Sequence, residues 1–450
     1  MTRLFGTDGV RGTANHELTP ELAFQLGRAG ACVLGAGPGK PRVLIGRDTR
    51  ISGEMLEGAL IAGVTSAGAD ALVVGVVPTP AVAYLTKKLQ CTAGVMISAS
   101  HNPVEDNGIK FFGADGFKLS DEVEDEIEAY LKNDRGPRPI GGDLGQVFHE
   151  SDAVDLYLDF LALRVPVDLT GMHIAVDCAN GAASYCTPVI LRRLGAQVTS
   201  INDKPNGVNI NLNCGSTHPS EIQNLVREIG AQVGIAHDGD ADRVIAVDEK
   251  GNLIDGDRIL AICGLYMLSN GQLPHGKIAA TAYSNGGLKR AFQDAGGDVV
   301  LTAAGDRYVL EAMLEQGLTL GGEQSGHVIF LTDSTTGDGI LTSLKLLEVI
   351  QKKQKPLSEL GKVMTTFPQQ LTNVRVNSKV GWEQNPRISK VIAQAEQQLA
   401  PLGRLLVRGS GTEPVIRVMG EHPDKARVLS AVQLVADVIE AEQGGTGNGD

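Results

Sequence analysis

Short apolar runs alternate with helix-length amphipathic stretches along most of the chain. Thr19, Pro20 and Glu21 supply an N-cap, a proline at the first helical position and an early acid, and apolar residues then repeat at helical spacing. A helix is therefore predicted from Pro20. The apolar runs predict strands at residues 43–46, 71–77, 93–97, 173–177, 196–201, 233–236 and 277–281, and the pattern recurs from residue 327 onward. Such strands are typical of a mostly parallel sheet covered on both faces.

This alternation predicts an α/β fold with several domains, since 450 residues exceed one ordinary core. We expect three successive mixed-sheet α/β domains and a smaller α+β C-terminal domain with a helix near residues 386–399. The polar Pro/Gly-rich residues 133–142 suit a linker or surface loop. The predicted ranges are 1–153, 154–254, 255–367 and 368–443, followed by a disordered tail at 444–450.

Composition and charge narrow the classes of protein to which this chain can belong. A net charge of −13 without a long Lys/Arg run argues against a nucleic-acid partner, so any phosphate site must be local. The six cysteines are scattered without Cys-x-x-Cys spacing, and the start lacks a secretory hydrophobic stretch. The most apolar segment, 71–85, is interrupted by two prolines and is too short to span a bilayer. A cytoplasmic protein without membrane association is expected.

Ser100 lies in a polar turn that ends the apolar run 93–97, with His101 beside it and Lys110 further on. The turn places a hydroxyl at a strand end near candidate proton carriers. An ordinary turn serine that bonds the local backbone is the plainer interpretation. A Ser-His-Asp hydrolase is a second alternative, but the segment lacks the Gly-x-Ser-x-Gly elbow.

Asp238, Asp240 and Asp242 follow the apolar run 233–236 and offer three carboxylates at two-residue spacing. Such oxygens suit a hard divalent cation, and Mg²⁺ in particular commonly shares a few carboxylates with a phosphate oxygen. A calcium-binding helix-loop-helix also has acids at this spacing, but its required glycine is replaced by Arg243 and a strand and hairpin turn follow. A solvated acidic turn without a bound ion is the remaining alternative.

Two further loops combine flexible backbone with polar side chains. Residues 321–327 carry a carboxylate, a hydroxyl and an imidazole, which suit sugar hydroxyls but also fit an ordinary β-turn. Residues 408–414, followed by Arg417, combine two hydroxyls, an arginine and backbone N–H groups in a plausible anion nest. A plain hairpin between strands at 404–407 and 415–419 is compatible with that nest.

Together these motifs resemble the phosphohexomutase family. Ser-Ala-Ser-His-Asn-Pro at 98–103 and Asp-Gly-Asp-Ala-Asp-Arg at 238–243 carry the resemblance, supported in family order by residues 5–12, 46–50 and the two later loops. Segments 213–219, 305–308 and 322–327 are similar to the bacterial branch that acts on glucosamine phosphates. Ala241 departs from the second glycine of many members, which puts the flexibility of that loop in question.

The resemblance implies a mechanism and a set of site residues. Ser100 would be phosphorylated, and it would bind Mg²⁺ together with Asp238, Asp240 and Asp242. Lys110 and His101 are candidate proton carriers, with Lys110 favoured as general acid or base. Positive charge would come from Arg11 and Arg243, and the substrate would be bound by Glu323, Ser325, His327, Arg408, Ser410, Gly411, Thr412 and Arg417.

The implied reaction moves a phosphoryl group between O6 and O1 of a small phosphosugar through a hexosamine or hexose 1,6-bisphosphate. Glucosamine 6-phosphate and glucosamine 1-phosphate are the expected pair. A phosphomannomutase or phosphoglucomutase has the same reacting groups and stays open as an alternative. A metal-dependent phosphatase and a non-catalytic sugar-phosphate sensor are more distant ones, and a homodimer is an option that the sequence leaves open.

Overall fold

A computed structural model of the chain describes residues 3–6, 8–37, 39–134, 136–378, 381–410 and 414–444. Those residues form four β-sheets, three of mixed direction and a smaller antiparallel one at the C-terminal end, each with helices against it. The predicted fold class is confirmed. No helix in the described segments is long and apolar enough to cross a membrane.

The first sheet has the strand order β1-β5-β4-β2-β3-β6, in which β5 is antiparallel to both of its neighbours and the other five strands run in one direction. The predicted helix begins at Pro20, where Thr19 accepts a hydrogen bond from the backbone N–H of Leu22. The elements are β1 (Val10–Thr13), α1 (Pro20–Leu34), β2 (Arg42–Arg47), α2 (Ser52–Ser66), β3 (Asp70–Val76), α3 (Thr79–Lys88), β4 (Ala93–Ile97), β5 (Asp106–Gly113), α4 (Asp121–Lys132) and β6 (Val147–His149).

Strands β2 and β4 are parallel neighbours, so the residues that follow them meet at one edge of the sheet. This places Asp48 to Arg50 beside the turn that contains Ser100. Strand β5 then returns antiparallel to β4 and pairs Lys110 with Met96. The apolar pattern did not predict β5, because polar residues interrupt it.

The second sheet has the order β11-β10-β9-β7-β8, with β7, β8 and β9 parallel. Strands β9 and β10 form an antiparallel hairpin in which His237 pairs with Val244, so the acidic loop is a hairpin connection and not a helix-loop-helix. The elements are α5 (Ala153–Arg164), β7 (His173–Asp177), α6 (Ala183–Arg193), β8 (Gln197–Ile201), α7 (Ser220–Ile229), β9 (Val233–His237), β10 (Val244–Asp248), β11 (Leu253–Ile254) and α8 (Gly256–Ser269).

The third sheet has the order β13-β12-β14-β15, with only the last pair antiparallel among its described strands. Strands β14 and β15 flank the loop at 323–327, so that loop is also a hairpin connection. The elements are β12 (Lys277–Thr281), α9 (Gly286–Asp294), β13 (Asp298–Thr302), α10 (Asp306–Gln316), β14 (Leu320–Gly322), β15 (Val328–Phe330), α11 (Gly339–Lys353) and α12 (Leu357–Leu360).

The fourth sheet is antiparallel, in the order β16-β18-β17, and two helices cover one face through a core that includes Ile388, Ile416 and Val435. Its elements are β16 (Gln369–Arg375), α13 (Pro386–Leu399), β17 (Arg404–Gly409), β18 (Val415–Glu421) and α14 (Lys425–Gln443). The helix predicted at 386–399 and the predicted strands of this region are confirmed. The predicted tail lies outside the described residues from 445 onward.

The chain divides into two compact units. The large unit comprises Met1–Tyr283 and Gly297–Val363, and therefore contains the first three sheets. The small unit comprises Ser284–Gly296 and Met364–Asp450, with the fourth sheet and α9. Within the small unit, Glu421 accepts a hydrogen bond of 2.7 Å from the backbone N–H of Gly286. The boundaries predicted between four domains stay predictions.

Candidate active site

Ser100 is buried and has a backbone φ of 53°, a left-handed conformation that a non-glycine residue keeps only when its surroundings hold it there. Arg50 supplies part of that hold. Its guanidinium donates to the carbonyl oxygens of Ser100 at 3.0 Å and of Asn102 at 2.8 Å, and Asn211 also donates to the Ser100 carbonyl at 2.9 Å. The turn is therefore fixed by side chains that are distant in sequence.

A second set of hydrogen bonds fixes the turn through Ser98 and Asp48. The backbone N–H of Ser100 donates to the Ser98 hydroxyl at 2.9 Å, and that hydroxyl donates to Asp48 at 2.7 Å. Asp48 also forms a fully buried ion pair of 2.9 Å with Arg50. Burial raises the pKa of Asp48, and Arg50 opposes that rise. The carboxylate thus links the arginine and the serine turn into one network.

The Ser100 hydroxyl donates to Asp238 Oδ2 at 2.7 Å. Asp238, Asp240 and Asp242 are all buried, and each offers an oxygen within 4.8 Å of the others. Burial and the two neighbouring carboxylates raise the pKa of Asp238 well above its usual range. The serine hydroxyl therefore lies against three buried carboxyl groups that are close to one another.

This cluster fits a hard divalent cation. Oδ1 of Asp240 and Oδ1 of Asp242 are buried and accept no hydrogen bond from any described residue. A buried carboxylate oxygen without a donor is costly, and a metal ion satisfies it. Carboxylate oxygens in this number suit Mg²⁺ that completes its shell with phosphate and water. Asp238, Asp240 and Asp242 are thus the residues that could hold it.

Lys110 is buried among the same carboxylates. Its Nζ lies 2.9 Å from Asp240 Oδ2 and 3.1 Å from Asp8 Oδ2. Burial alone would lower the pKa of Lys110, but Asp240, Asp8 and Asp242 outweigh burial and raise that pKa above its ordinary value. Lys110 is therefore a charged ammonium in this arrangement, which favours a proton donor over a base.

His101 lies next to the Ser100 hydroxyl. Its Nδ1 is 3.4 Å from Ser100 Oγ. Burial, together with the positive charges of Arg243 and Arg11, lowers the pKa of His101 to about 4. The imidazole is thus neutral near pH 7 and has a nitrogen that can accept a proton.

A cavity of about 550 Å³ opens beside the acidic loop. Five predicted site residues line it together: Arg11, Asp242, Arg243, Glu323 and His327. Ser325 is exposed in the same loop, and its Oγ lies 3.5 Å from Glu323. Arginines and carboxylates around one cavity suit a ligand that carries both phosphate and polar sugar groups.

His327 also lines this cavity but is almost fully buried. It is 2 % exposed, its Nδ1 is 3.6 Å from Asp242 Oδ2, and its Nε2 accepts a hydrogen bond of 3.1 Å from the backbone N–H of Gly337. Since Nε2 accepts that bond, Nδ1 carries the proton and faces the carboxylate. His327 is therefore placed to orient Asp242, and its predicted contact with the sugar stays a prediction.

Sequence reasoning missed three charged residues at this site: Asp8, Lys118 and Asp306. Lys118 donates to Asp8 at 2.7 Å and also to Asp306, and the carboxylates outweigh burial to raise the pKa of Lys118. Asp8 and Asp306 both line the cavity. The signal was available, because Asp8 and Asp306 lie in two segments that carried the family resemblance, although no role was assigned to them.

The predicted phosphate loop belongs to the small unit. Arg408 on β17 and Arg417 on β18 are directly paired in the register, so their side chains share one face of the sheet. Ser410 is buried, and its N–H donates to the Val415 carbonyl at 2.9 Å. Paired like charges suit an anion site. Gly411 and Thr412 lie outside the described residues.

Family models match all of these regions. The models for the phosphoglucomutase/phosphomannomutase family match as α/β/α domain I at residues 2–137, α/β/α domain II at 155–251, α/β/α domain III at 255–367 and the C-terminal domain at 371–438. The matched segments contain Ser100, the acidic loop, the loop at 323–327 and the phosphate loop.

Curated relatives match over nearly the full length. The chain is 55% identical to a phosphoglucosamine mutase of Heliobacterium modesticaldum, with 98% of this chain and 99% of that protein covered. It is 53% identical to a phosphoglucosamine mutase of Bacillus cytotoxicus, with 99% of this chain and 100% of that protein covered.

Solved structures share the fold. A phosphoglucomutase/phosphomannomutase family protein from Burkholderia thailandensis superposes with a TM-score of 0.82 at 24% identity, covering 98% of each chain. An N-acetylphosphoglucosamine mutase of Aspergillus fumigatus, solved in complex with GlcNAc-6P and magnesium, gives a TM-score of 0.68 at 18% identity and covers 97% of this chain and 95% of that one. With the family models and relatives, these matches show that the chain belongs to the α-D-phosphohexomutase family and is an isomerase of the phosphomutase class.

Proposed function

We propose that the enzyme interconverts glucosamine 6-phosphate and glucosamine 1-phosphate, with Ser100 carrying the phosphoryl group between turnovers. The observation that carries the proposal is the bond of 2.7 Å from Ser100 Oγ to Asp238, because it joins a nucleophilic oxygen to a buried carboxylate triad. The choice of an amino sugar is supported by relatives with 53 to 55% identity that are named phosphoglucosamine mutases.

In the forward direction, the free O1 hydroxyl of the sugar attacks the phosphorus on Ser100. A bond from O1 to phosphorus forms, the bond from Ser100 Oγ to phosphorus breaks, and the product is the 1,6-bisphosphate. The bisphosphate turns over and returns its 6-phosphoryl group to Ser100 Oγ, which restores phosphoserine and leaves the 1-phosphate. The same groups act in reverse for the opposite reaction.

Each transfer moves one proton from the attacking hydroxyl and supplies one to the departing oxygen. His101, with a neutral nitrogen 3.4 Å from Ser100 Oγ, is the candidate to accept a proton. Lys110, held as an ammonium by Asp240 and Asp8, is the candidate to donate one. Their roles exchange when the transfer runs backwards.

Asp238, Asp240, Asp242 and a phosphoserine oxygen would hold Mg²⁺. When bound, the ion would neutralise charge on the transferring phosphoryl group. Arg11 and Arg243 line the cavity, and their side chains would add fixed positive charge to that of the ion.

Substrate recognition is divided between two loops in this proposal. Glu323 and Ser325 contact the sugar hydroxyls, while His327 holds Asp242 in place. The phosphate that is not reacting is bound by Arg408, Ser410, Gly411, Thr412 and Arg417 in the small unit. The protein works in the cytoplasm, in keeping with the absence of a disulfide among its described cysteines. A homodimer stays a prediction.

An isomerisation assay tests the proposal against the alternatives. The 6-phosphates of glucosamine, glucose, mannose and N-acetylglucosamine are compared at equal concentration, and inorganic phosphate is measured in parallel. We expect glucosamine 6-phosphate to be converted with the highest kcat/KM and without net phosphate release. Faster conversion of glucose or mannose phosphate would favour a phosphoglucomutase or phosphomannomutase. Stoichiometric phosphate release would identify a phosphatase, and binding without conversion a sensor.

A further inference from the structure

Thr79 makes two bonds to the acidic loop. It is the first residue of α3 and is fully buried. Its backbone N–H donates to the Asp240 carbonyl oxygen at 2.9 Å, and its hydroxyl donates to Asp240 Oδ2 at 2.6 Å. The first N–H groups of a helix have no partner within the helix, so the loop satisfies one of them.

These bonds divide the two carboxylate oxygens of Asp240. Oδ2 accepts from the Thr79 hydroxyl and from Lys110 at 2.9 Å. Oδ1 is equally buried and accepts no hydrogen bond from the described residues. One oxygen is therefore used to fix the carboxylate, and the other remains for a cation.

We propose that Thr79 is a positioning residue for the metal site: its hydroxyl fixes the rotation of the Asp240 carboxylate so that Oδ1 faces the cation. The inference rests on the proposed Mg²⁺ site and adds a residue from the first sheet's α3 to a ligand set carried by the second sheet's hairpin. Lys110 fixes the same oxygen but also takes part in the proposed proton transfer. Thr79 can therefore be changed without removing a group that touches the reacting atoms.

Partners that orient a metal ligand typically contribute about 10- to 100-fold in metal affinity. Thr79→Val removes the hydroxyl while keeping the shape, and Thr79→Ser keeps the hydroxyl. Thr86→Val is a matched control, because Thr86 is an equally buried threonine of α3 whose hydroxyl donates at 2.7 Å to the Val82 carbonyl instead. It removes one buried hydroxyl from the same helix, away from the acidic loop.

The test measures Mn²⁺ binding to the full-length, dephosphorylated proteins by electron paramagnetic resonance, with melting curves to confirm folding. We expect Thr79→Val to bind Mn²⁺ at least about tenfold more weakly than wild type, and Thr79→Ser and Thr86→Val to match wild type. Turnover of Thr79→Val should recover as Mg²⁺ is raised, with an unchanged KM for the sugar phosphate at saturating metal.

Equal Mn²⁺ affinity in wild type and folded Thr79→Val would overturn the inference and leave the proposed function intact. Affinity lost equally in Thr79→Ser would also overturn it, because the methyl group and not the hydroxyl would then matter. If Thr79→Val does not fold, Thr79→Ala replaces it in the same comparison with Thr79→Ser. If wild type itself binds no Mn²⁺, the metal site of the proposed function is wrong, and the inference falls with it.

Discussion

At the scale of single residues, the site depends on polar groups that hold one another in unfavourable positions. Ser100 keeps a left-handed backbone because Arg50 and Asn211 bind its carbonyl oxygen. Asp238 stays buried beside two other carboxylates and accepts a hydrogen bond from the Ser100 hydroxyl. Such arrangements cost stability and are found where function needs them. The Ser100 hydroxyl is the group that the proposed reaction uses directly.

Replacement of Ser100 by alanine should reduce turnover to background while the protein still folds, because the change removes one small hydroxyl and no packing group. A coupled assay, a melting curve and phosphopeptide mapping measure the three consequences, and the mapped phosphate should be absent from the variant. Ser66→Ala is the control, since the Ser66 hydroxyl caps the end of α2 by donating to the Gly63 carbonyl. Turnover near wild type in Ser100→Ala would contradict the phosphoserine mechanism.

Asp338 provides a pH-dependent prediction away from the reacting atoms. Burial raises its pKa from a usual value of 3.8 to about 6, although Leu341 and Tyr157 donate hydrogen bonds to it. An acid whose pKa is raised by folding binds more protons in the native state, so wild-type stability should fall as pH rises from about 4 to about 6. The loss is about 2 to 3 kcal/mol at most for a shift of this size.

An asparagine in place of Asp338 keeps a side-chain acceptor at the N-cap of α11 and removes the charge. We therefore expect Asp338→Asn to gain in melting temperature relative to wild type between pH 4 and pH 6, and the difference to level off above that range. Melting temperatures of both proteins across pH measure the difference. Parallel curves would show that Asp338 ionises in the folded protein as it does in the unfolded chain.

At the scale of elements, two hairpin connections and one strand-to-turn segment carry the chemistry. The acidic loop joins β9 to β10, and its Ala241 carbonyl accepts a bond of 3.0 Å from Gly339 at the start of α11. Ala241 has a φ of 56°. It stands at the position of the second glycine in the motif that carried the family resemblance. The conformation needed by the loop is thus held without that glycine, by contacts from a neighbouring helix.

Asp240→Asn should weaken metal binding, because a neutral amide is a poorer ligand for a hard cation than a carboxylate. We expect lower turnover at limiting Mg²⁺ and partial recovery at excess Mg²⁺. Titration of turnover with Mg²⁺ in both proteins gives the shift in midpoint. Wild-type turnover that survives exhaustive chelation would refute the metal assignment itself.

Arg408→Ala should impair the forward and reverse reactions alike, because the phosphate that is not reacting needs binding in both. One lost charged hydrogen-bonding partner is worth about 1.5 to 3 kcal/mol, which would appear in kcat/KM for both directions. Arg387→Ala is the control: its side chain is 80% exposed on another face of the same unit, paired with Glu442. An effect in one direction alone would place the phosphate clamp elsewhere.

The strands before the chemical loops could be predicted because they are continuous apolar runs, and β4, β7, β9 and β12 lie where the pattern placed them. Strand β5 could not be predicted in this way, because polar residues that include Lys110 of the site interrupt its apolar pattern. The roles of Thr79 and Arg50 depend on partners far along the chain, which local spacing does not contain. For His327, the sequence indicated a site residue but not its contact with Asp242, which is distant in sequence.

At the scale of the whole molecule, the large unit assembles one site from all three of its sheets. Ser100 follows β4 of the first sheet, the acidic loop belongs to the second, and Glu323 follows β14 of the third. Lys118 joins the first and third by bonding both Asp8 and Asp306. Charged side chains distant in sequence thus meet around the cavity. This explains why the separate motifs predict a function only in combination.

The central claim is that the phosphoryl group on Ser100 is transferred to the sugar. Enzyme carrying an isotopically labelled phosphoryl group is mixed with one equivalent of glucosamine 6-phosphate and quenched at short times, and label is followed in protein, sugar and inorganic phosphate. The account predicts that label leaves Ser100 as glucosamine 1,6-bisphosphate and then appears in glucosamine 1-phosphate. Label that stays on the protein while product forms, or that leaves as inorganic phosphate, would contradict it.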